Sequence, residues 1–378
     1  MVKSAYIHIP FCQHICHYCD FNKVFIDRQP VEQYLDYVEK EIVNTVAQQP
    51  FAELDTIFVG GGTPTALNMP QTERLLEIIQ TRLQPLGTNA EVTFEANPGD
   101  LPKEKLRLLQ EGGVNRLSFG VQTFNNELLK RIGRTHTSED VFQAVRDAQE
   151  AGFANINLDL IYALPGQTPE DVKETLDIAF TLDVQHFSGY SLIIEPKTVF
   201  YNLVQRGKLP LPGEDSEAKM YELVMDEMER HGYHQYEISN FSRAGYESRH
   251  NLVYWNNEPY YGFGAGAHGY VAGRRLQNAG PLKKYVQLID ETGLPYTNVH
   301  EVTEQERMEE EMFLGLRKTA GVGKAAFLQK FGRPMHAVFG EVLEENKRQG
   351  LLEETEEAVR LTRAGKLLGN EVFQAFLL

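Results

Sequence analysis

His8-Ile9-Pro10-Phe11-Cys12-Gln13-His14-Ile15-Cys16-His17-Tyr18-Cys19-Asp20-Phe21-Asn22 contains every cysteine of the 378-residue chain. An odd number of thiols packed into eight positions argues against a disulfide framework and for a reducing compartment. The spacing C-x3-C-x2-C follows a strand-like stretch, Ser4 to Pro10, and lets a short loop bring three sulfurs to one metal centre. A [4Fe–4S] cube takes one thiolate per iron, so three cysteines leave one iron open to a chelating small molecule. Structural zinc is the alternative and needs a fourth ligand from His8, His14, His17 or Asp20. A set of unligated thiols is the third reading.

Outward from this loop, extended apolar segments alternate with helical periodicity. Strands are predicted over Ser4 to Pro10, Thr56 to Val59, Val92 to Ala96, Arg116 to Gln122, Ile156 to Tyr162 and Phe187 to Leu192. Helices are predicted over Val31–Gln48, Gln71–Arg82, Pro102–Glu111, Ser138–Ala151 and Pro169–Leu182, with apolar positions three and four apart. Six strand–helix units with polar residues just past the strand ends describe an α/β chain forming a partial (β/α)6, TIM-like barrel. A doubly wound open sheet fits the periodicity equally, but gathers its special residues at one crossover rather than at six strand ends.

Gly207 to Asp215 reads as a linker and Met220 to His231 as a helix. Tyr233 to Asn278, rich in Tyr, Asn and Gly, reads as irregular chain lying over something. From Glu301 the texture changes: Thr303 with Glu306 forms a capping box for a helix burying Met308, Met312 and Leu316. Two further helices, Lys324–Phe331 and His336–Gln349, a hairpin of Leu351–Glu353 with Val359–Leu361, and a final helix suggest a winged-helix-like unit. The expected division is 1–210 barrel, 211–300 barrel extension and covering segment, and 301–378 C-terminal domain.

Lys+Arg 37 against Asp+Glu 53 gives a net charge of −16. That balance, with 14 Glu against 11 Lys+Arg beyond residue 300, argues against nucleic acid as a partner and for a packing role of the last domain. No apolar run is long enough to span a bilayer, and the N-terminus does not read as a signal peptide. A cytoplasmic protein is expected.

Gly60-Gly61-Gly62-Thr63-Pro64 follows the second strand, where glycine permits close approach of a ligand to the backbone. Together with the cysteine loop and Tyr18 within it, this run resembles the radical S-adenosylmethionine (SAM) superfamily. The closer resemblance, over nearly the whole chain, is to the oxygen-independent coproporphyrinogen III oxidase-like branch and its heme chaperones. It is carried by CHYCDFN at 16–22, FEANP at 94–98, SFGVQ at 118–122, RIGRTH at 131–136 and LDLIYALPGQ at 158–167. The likeness implies a [4Fe–4S] cluster on Cys12, Cys16 and Cys19. It implies SAM held by Tyr6, Tyr18, Gly61, Gly62, Thr63, Glu95, Gln122, Arg134 and Asp159. Glu95 and Arg134 would serve the methionine end, Gln122 and Asp159 the ribose side or a neighbouring cofactor. Alone, the last two read equally as polar residues closing the barrel mouth. Radical chemistry of this kind implies a low-potential electron donor such as flavodoxin.

Two departures count against the decarboxylating oxidase of that branch. Phe21 stands where the oxidase carries a further cysteine, and only eleven residues precede Cys12. His250-Asn251-Leu252-Val253-Tyr254-Trp255 resembles the HNxxYW segment of the branch's heme chaperones and implies heme bound through His250. His268 is a second ligand candidate, and Arg249, Arg274 and Arg275 are candidates for the propionates. Alternatively HNLVYW is a buried strand with structural hydrogen bonds. The chaperone reading brings heme, an apo-hemoprotein acceptor at the cytoplasmic membrane, a peripheral membrane location and a homodimer as expectations. A radical enzyme acting on a porphyrinogen is the competing function, with no catalytic residue singled out.

Overall fold

The computed structural model describes residues 1–377. Six strands, β1 (Ser4–Ile9), β2 (Leu54–Gly61), β3 (Leu86–Ala96), β4 (Arg116–Gln122), β5 (Ile156–Tyr162) and β6 (His186–Ser191), pair in parallel in chain order. Five helices return the chain between them: α1 (Val31–Gln48), α2 (Met69–Arg82), α3 (Lys103–Glu111), α4 (Ser138–Glu150) and α5 (Pro169–Phe180). This is the partial (β/α)6 barrel expected from the sequence. Strand β4 explains the layering. Leu117, Phe119 and Val121 enter the apolar core shared with Leu106, Leu109, Val141 and Val145 of the helices. The alternate residues Arg116, Ser118, Gly120 and Gln122 line a cavity inside the barrel, as the two-residue strand period requires.

The region from Tyr233 to Asn278 corrects the reading of irregular chain. After helix α6 (Glu214–Arg230), β7 (His234–Glu237) and β8 (Asn240–Ser242) add antiparallel strands beyond β6, while β9 (Tyr261–Phe263) pairs in parallel with β1. The sheet order is β9-β1-β2-β3-β4-β5-β6-β8-β7. These strands are three or four residues long, too short for alternation to be legible beside so many glycines. Between β8 and β9, the HNxxYW segment is a helix, α7 (Arg249–Trp255), not a strand. The Ser248 side chain accepts from the Asn251 N–H, and the two oxygens of Glu91 accept from the N–H groups of Arg249 and His250, each at 3.1 Å. A carboxylate and a serine hydroxyl at a helix N-terminus satisfy donors with no partner inside the helix.

A second, smaller sheet, β10 (His268–Val271), β11 (Arg274–Asn278) and β12 (Tyr296–Glu301), precedes the last unit and encloses helix α8 (Leu282–Thr292) in the chain. The last unit has its own core. Met308, Met312 and Leu316, from α9 (Glu304–Gly315) and its C-cap, meet Phe327 of α10 (Lys324–Phe331) and Phe339 of α11 (Met335–Arg348). A small sheet, β13 (Val322–Gly323), β14 (Leu352–Glu354) and β15 (Ala358–Leu361), completes a mostly helical, winged-helix-like arrangement. The Thr303–Glu306 capping box is present as expected. Helix α7 joins this unit to the barrel. The Arg317 guanidinium lies 4.7 Å from the Trp255 ring centroid, and Lys318 Nζ donates to Asn256 Oδ1 at 2.6 Å.

Candidate cofactor site

The cysteine loop crosses the C-terminal end of the strands. Phe11–Cys12 pairs in parallel with Val24–Phe25, and Asn22 secures the loop's far end. The Asn22 amide donates to Ala265 O (2.7 Å) and Gly280 O (3.0 Å), while its own carbonyl faces His8 Nε2 at 2.7 Å. All three thiols line a cavity of about 330 Å³ that runs down into the barrel.

Iron–sulfur and zinc make different demands on the donor set. A single zinc with sulfur at ~2.3 Å would draw its thiolates to about 3.8 Å from one another. Among the described residues, the only group of three such ligand atoms mutually within 4.8 Å is His336, Glu344 and Glu354, of which Glu354 already pairs with Lys324 and Lys347. Of the zinc completers, His8 has both ring nitrogens engaged, with the Tyr6 hydroxyl (2.9 Å) and the Asn22 carbonyl. His17 Nδ1 faces Arg131 O at 3.0 Å. Burial pushes the Cys12 thiol up to about 11, against which the Thr63 hydroxyl at 3.6 Å acts. The bare thiol therefore stays protonated at neutral pH, and bound iron would supply the charge that releases the proton.

Below the loop the same cavity gathers Tyr18, Gly61, Gly62, Thr63, Glu95, Gln122, Arg134 and Asp159. Gly61 has φ +112°, and a Cβ there would lie 2.4 Å from the His8 ring. Its N–H donates to Glu95 Oε2 at 3.0 Å. Burial, then the charge of Asp159, pushes the Glu95 carboxyl up to about 7. Asp159 is itself raised by burial, partly countered by bonds from Asn157 (2.8 Å) and Ser118 (3.1 Å). Arg134 Nη1 donates to Asn97 Oδ1 at 2.7 Å, and its buried Nε has no partner among the described residues. Gly120 leaves room for that guanidinium, since a Cβ there would meet Nη2 at 2.5 Å. Gln122 holds φ +70°, a strained conformation for a non-glycine residue and frequent at ligand sites. A carboxylate for an ammonium or ribose, a guanidinium for a carboxylate and close-approach glycines suit SAM beside a cluster.

Two expected residues stand outside the cavity. Tyr6 is bonded to His8 and stacked on Phe58 at 6.1 Å. His250 is 1% exposed, with Nδ1 2.7 Å from Thr56 Oγ1 and Nε2 2.8 Å from the Tyr254 hydroxyl. Burial lowers its imidazole to about 3, so it stays neutral with both nitrogens occupied. In this conformation neither ring nitrogen is free. The propionate candidates are also engaged. Arg275 pairs with Glu310 (2.8 Å), Arg274 with Glu301 (3.3 Å), and the Arg249 guanidinium donates to Asn89 O. His268 opens β10 and does not line the cavity.

Sequence reasoning missed Lys23, Asn97, Arg116, Asn157, Ser188, Tyr190 and Asn251, all on the cavity wall. Arg116, Asn157 and Ser188 carried a signal: polar residues at alternate positions of strands whose other positions are apolar.

A family model for the radical SAM superfamily matches residues 6–179, and one for the HemN C-terminal domain matches residues 302–368. A Bacillus subtilis protein described as heme chaperone HemW is 58% identical over 376 residues, spanning 100% of this chain and 99% of its own. The chain belongs to the HemW family. The HemW relative from Lactococcus lactis is 47% identical over 100% of this chain and 97% of its own, and that from Escherichia coli 35% identical over 99% and 98%. Among solved structures, the radical SAM enzyme coproporphyrinogen III oxidase (HemN) of Escherichia coli superposes with a TM-score of 0.87 at 27% identity, over 99% of this chain and 90% of that one. The HemW family match covers the cysteine loop, the cavity and helix α7 alike.

Proposed function

We propose that this chain is a heme chaperone that binds heme and passes it to an apo-hemoprotein. It would carry a [4Fe–4S] cluster on Cys12, Cys16 and Cys19, with SAM in the adjoining cavity. The observation that carries the reading is full-length likeness to HemW at 58% identity. The cavity chemistry supports the cofactors. When bound, cluster and SAM supply one-electron reductive chemistry. The chain's own part is to keep Glu95 and Arg134 apart and oriented through Gly61 N–H and Asn97, and to seal the cavity floor with buried Arg116 and Asn157. The acceptor would be a respiratory hemoprotein at the cytoplasmic membrane, the electron donor a flavodoxin-like protein, and the working form a cytoplasmic homodimer. Among the described residues no helix is long and apolar enough to cross a membrane.

The likeness to HemN favours a second reading, radical oxidation of a porphyrinogen. One anaerobic experiment separates them: reconstitute the cluster, titrate hemin, offer a heme-free acceptor, and supply coproporphyrinogen III with reductant and SAM. Stoichiometric hemin uptake and transfer without decarboxylation is expected. Efficient decarboxylation without transfer would move the assignment to the oxidase.

A further inference from the structure

The floor of the cofactor cavity holds a charge that no carboxylate has paired. Arg116 opens β4, is 2% exposed and lines the cavity. Its buried Nε has no partner, and its guanidinium forms no ion pair among the described residues. Strand register fixes what stands above it. Ser118, the next inward position on β4, pairs with Glu95 of β3 on one side and Asn157 of β5 on the other, and Asp159 is the next inward position beyond Asn157. One inward step along a strand is ~7 Å, so both carboxylates stand within the span of a long side chain rising from position 116.

A buried cation is costly without nearby negative charge, and the two carboxylates need a cation in turn. Burial and Asp159 push the Glu95 carboxyl up to about 7, with the Gly61 N–H and Arg116 acting against them. Burial raises Asp159, with Ser188, Asn157, Ser118 and then Arg116 acting against it. The cation that acts on both is therefore Arg116. Two other cations on the wall belong to the cysteine side: Arg134 faces Tyr18, Cys16 and Cys19, and Lys23 donates to the Cys19 carbonyl.

The remaining titratable groups around the pair hold one charge state near neutrality. Burial lowers His186 of β6 well below its ordinary value and His250 of α7 to about 3, so both are neutral. Burial raises Tyr6 of β1, Tyr190 of β6, Tyr236 of β7 and Tyr254 of α7, which are neutral as well. Glu91 of β3 is committed to the first N–H groups of α7, and Glu237 of β7 to Asn240 and the Ser239 N–H.

We propose that Arg116 is a positioning residue for SAM, its guanidinium supplying from the cavity floor the counter-charge that keeps Glu95 and Asp159 ionised for the cofactor's ammonium and ribose. The proposal rests on the reading of this cavity as the SAM site. Because the cation is shared between two carboxylates and bonded to neither, their oxygens stay open to the ligand.

The test is calorimetric titration of SAM into the anaerobically reconstituted full chain between pH 6.0 and 8.5, for wild type, Arg116→Met and Arg116→Lys. Iron and sulfide content is checked in each. Variant and wild type are compared at each pH, since the amino group of SAM itself titrates at about 8, as α-amines do. Arg116→Met should lose at least tenfold in affinity at pH 6.5, with the deficit closing as pH rises and the midpoint of the affinity profile moving up by about one unit. Arg116→Lys, which keeps the charge, should retain the wild-type midpoint. Where Arg116→Met does not fold, Arg116→Gln, able to hydrogen-bond into the wall, carries the same expectation. An equal deficit at every pH overturns the proposal, because a residue that only fills the floor gives that result. So does wild-type affinity in the charge-free variant, or a Lys variant that behaves like it. A wild-type chain that binds no SAM removes the cofactor reading itself.

Discussion

The mouth of the barrel and helix α7 beneath its sheet are both rich in buried or half-buried polar groups, yet they have spent them differently. At the mouth, Arg134 keeps a buried Nε without a partner, Glu95 and Asp159 repel one another, and Gln122 is held in a strained backbone conformation. At α7, both nitrogens of His250, both oxygens of Glu91 and the hydroxyl of Tyr254 have protein partners. Buried polar groups cost free energy when unsatisfied, so the first pattern points to a ligand that completes it. The second is satisfied around His250, though Trp255 Nε1 has no partner among the described residues, and it binds the sheet floor to the C-terminal unit.

The sharpest way to break the comparison is at the cysteines. Cys16→Ser should abolish the cluster, read as loss of bound iron, sulfide and visible absorbance after anaerobic reconstitution, with global stability little changed. A full cluster in that variant would refute the three-thiolate site. At α7 the opposite is expected. His250→Ala strands two hydroxyls and opens a cavity, costing about 4 kcal/mol of unfolding free energy in denaturant titration, with cluster content intact. Wild-type stability there would mean that α7 is not a strut.

Glu41 sharpens the point in a third place. It is fully buried and accepts from the Tyr285 hydroxyl, Gly264 N–H and Asn278 amide, with burial pushing its carboxyl up to about 7. Because the folded value lies above the unfolded one, its contribution is present below about pH 4.5 and is lost as pH rises through about 7, by up to ~3 kcal/mol. Glu41→Gln should flatten that part of the pH–stability profile between pH 5 and 8. An unchanged slope would place the titration elsewhere. Gly61→Ala should cost less stability than His250→Ala. Strain at φ +112° and contact with His8 should cost about 2 kcal/mol, while SAM binding by calorimetry falls at least tenfold. Undiminished SAM binding would show that close approach at Gly61 is not used.

The cofactor end was legible because its determinants are local. Three cysteines within eight positions and a glycine run after a strand need no tertiary knowledge, and Gly61 does take the positive φ that such a run permits. The barrel was legible because its helices run nine to eighteen residues and its strands alternate. Helix α7 was not: seven residues with only His250 and Val253 buried give no readable period, and its capping carboxylate, Glu91, lies far away in sequence.

By itself the sequence determined the metal loop, the six parallel strands and the separate C-terminal unit, because thiol spacing, backbone geometry and apolar periodicity act over a few residues. Only the tertiary structure decided which polar residues face the cavity and which side chains are already satisfied. Arg116, Asn157 and Asn251 become neighbours through strand register and the path of α7 beneath the sheet, and His250 loses its availability to Thr56 and Tyr254. Availability is a property of the packed neighbourhood: a residue's chemistry is written in the chain, but whether a hydrogen-bonding group has been spent depends on what folding brings against it.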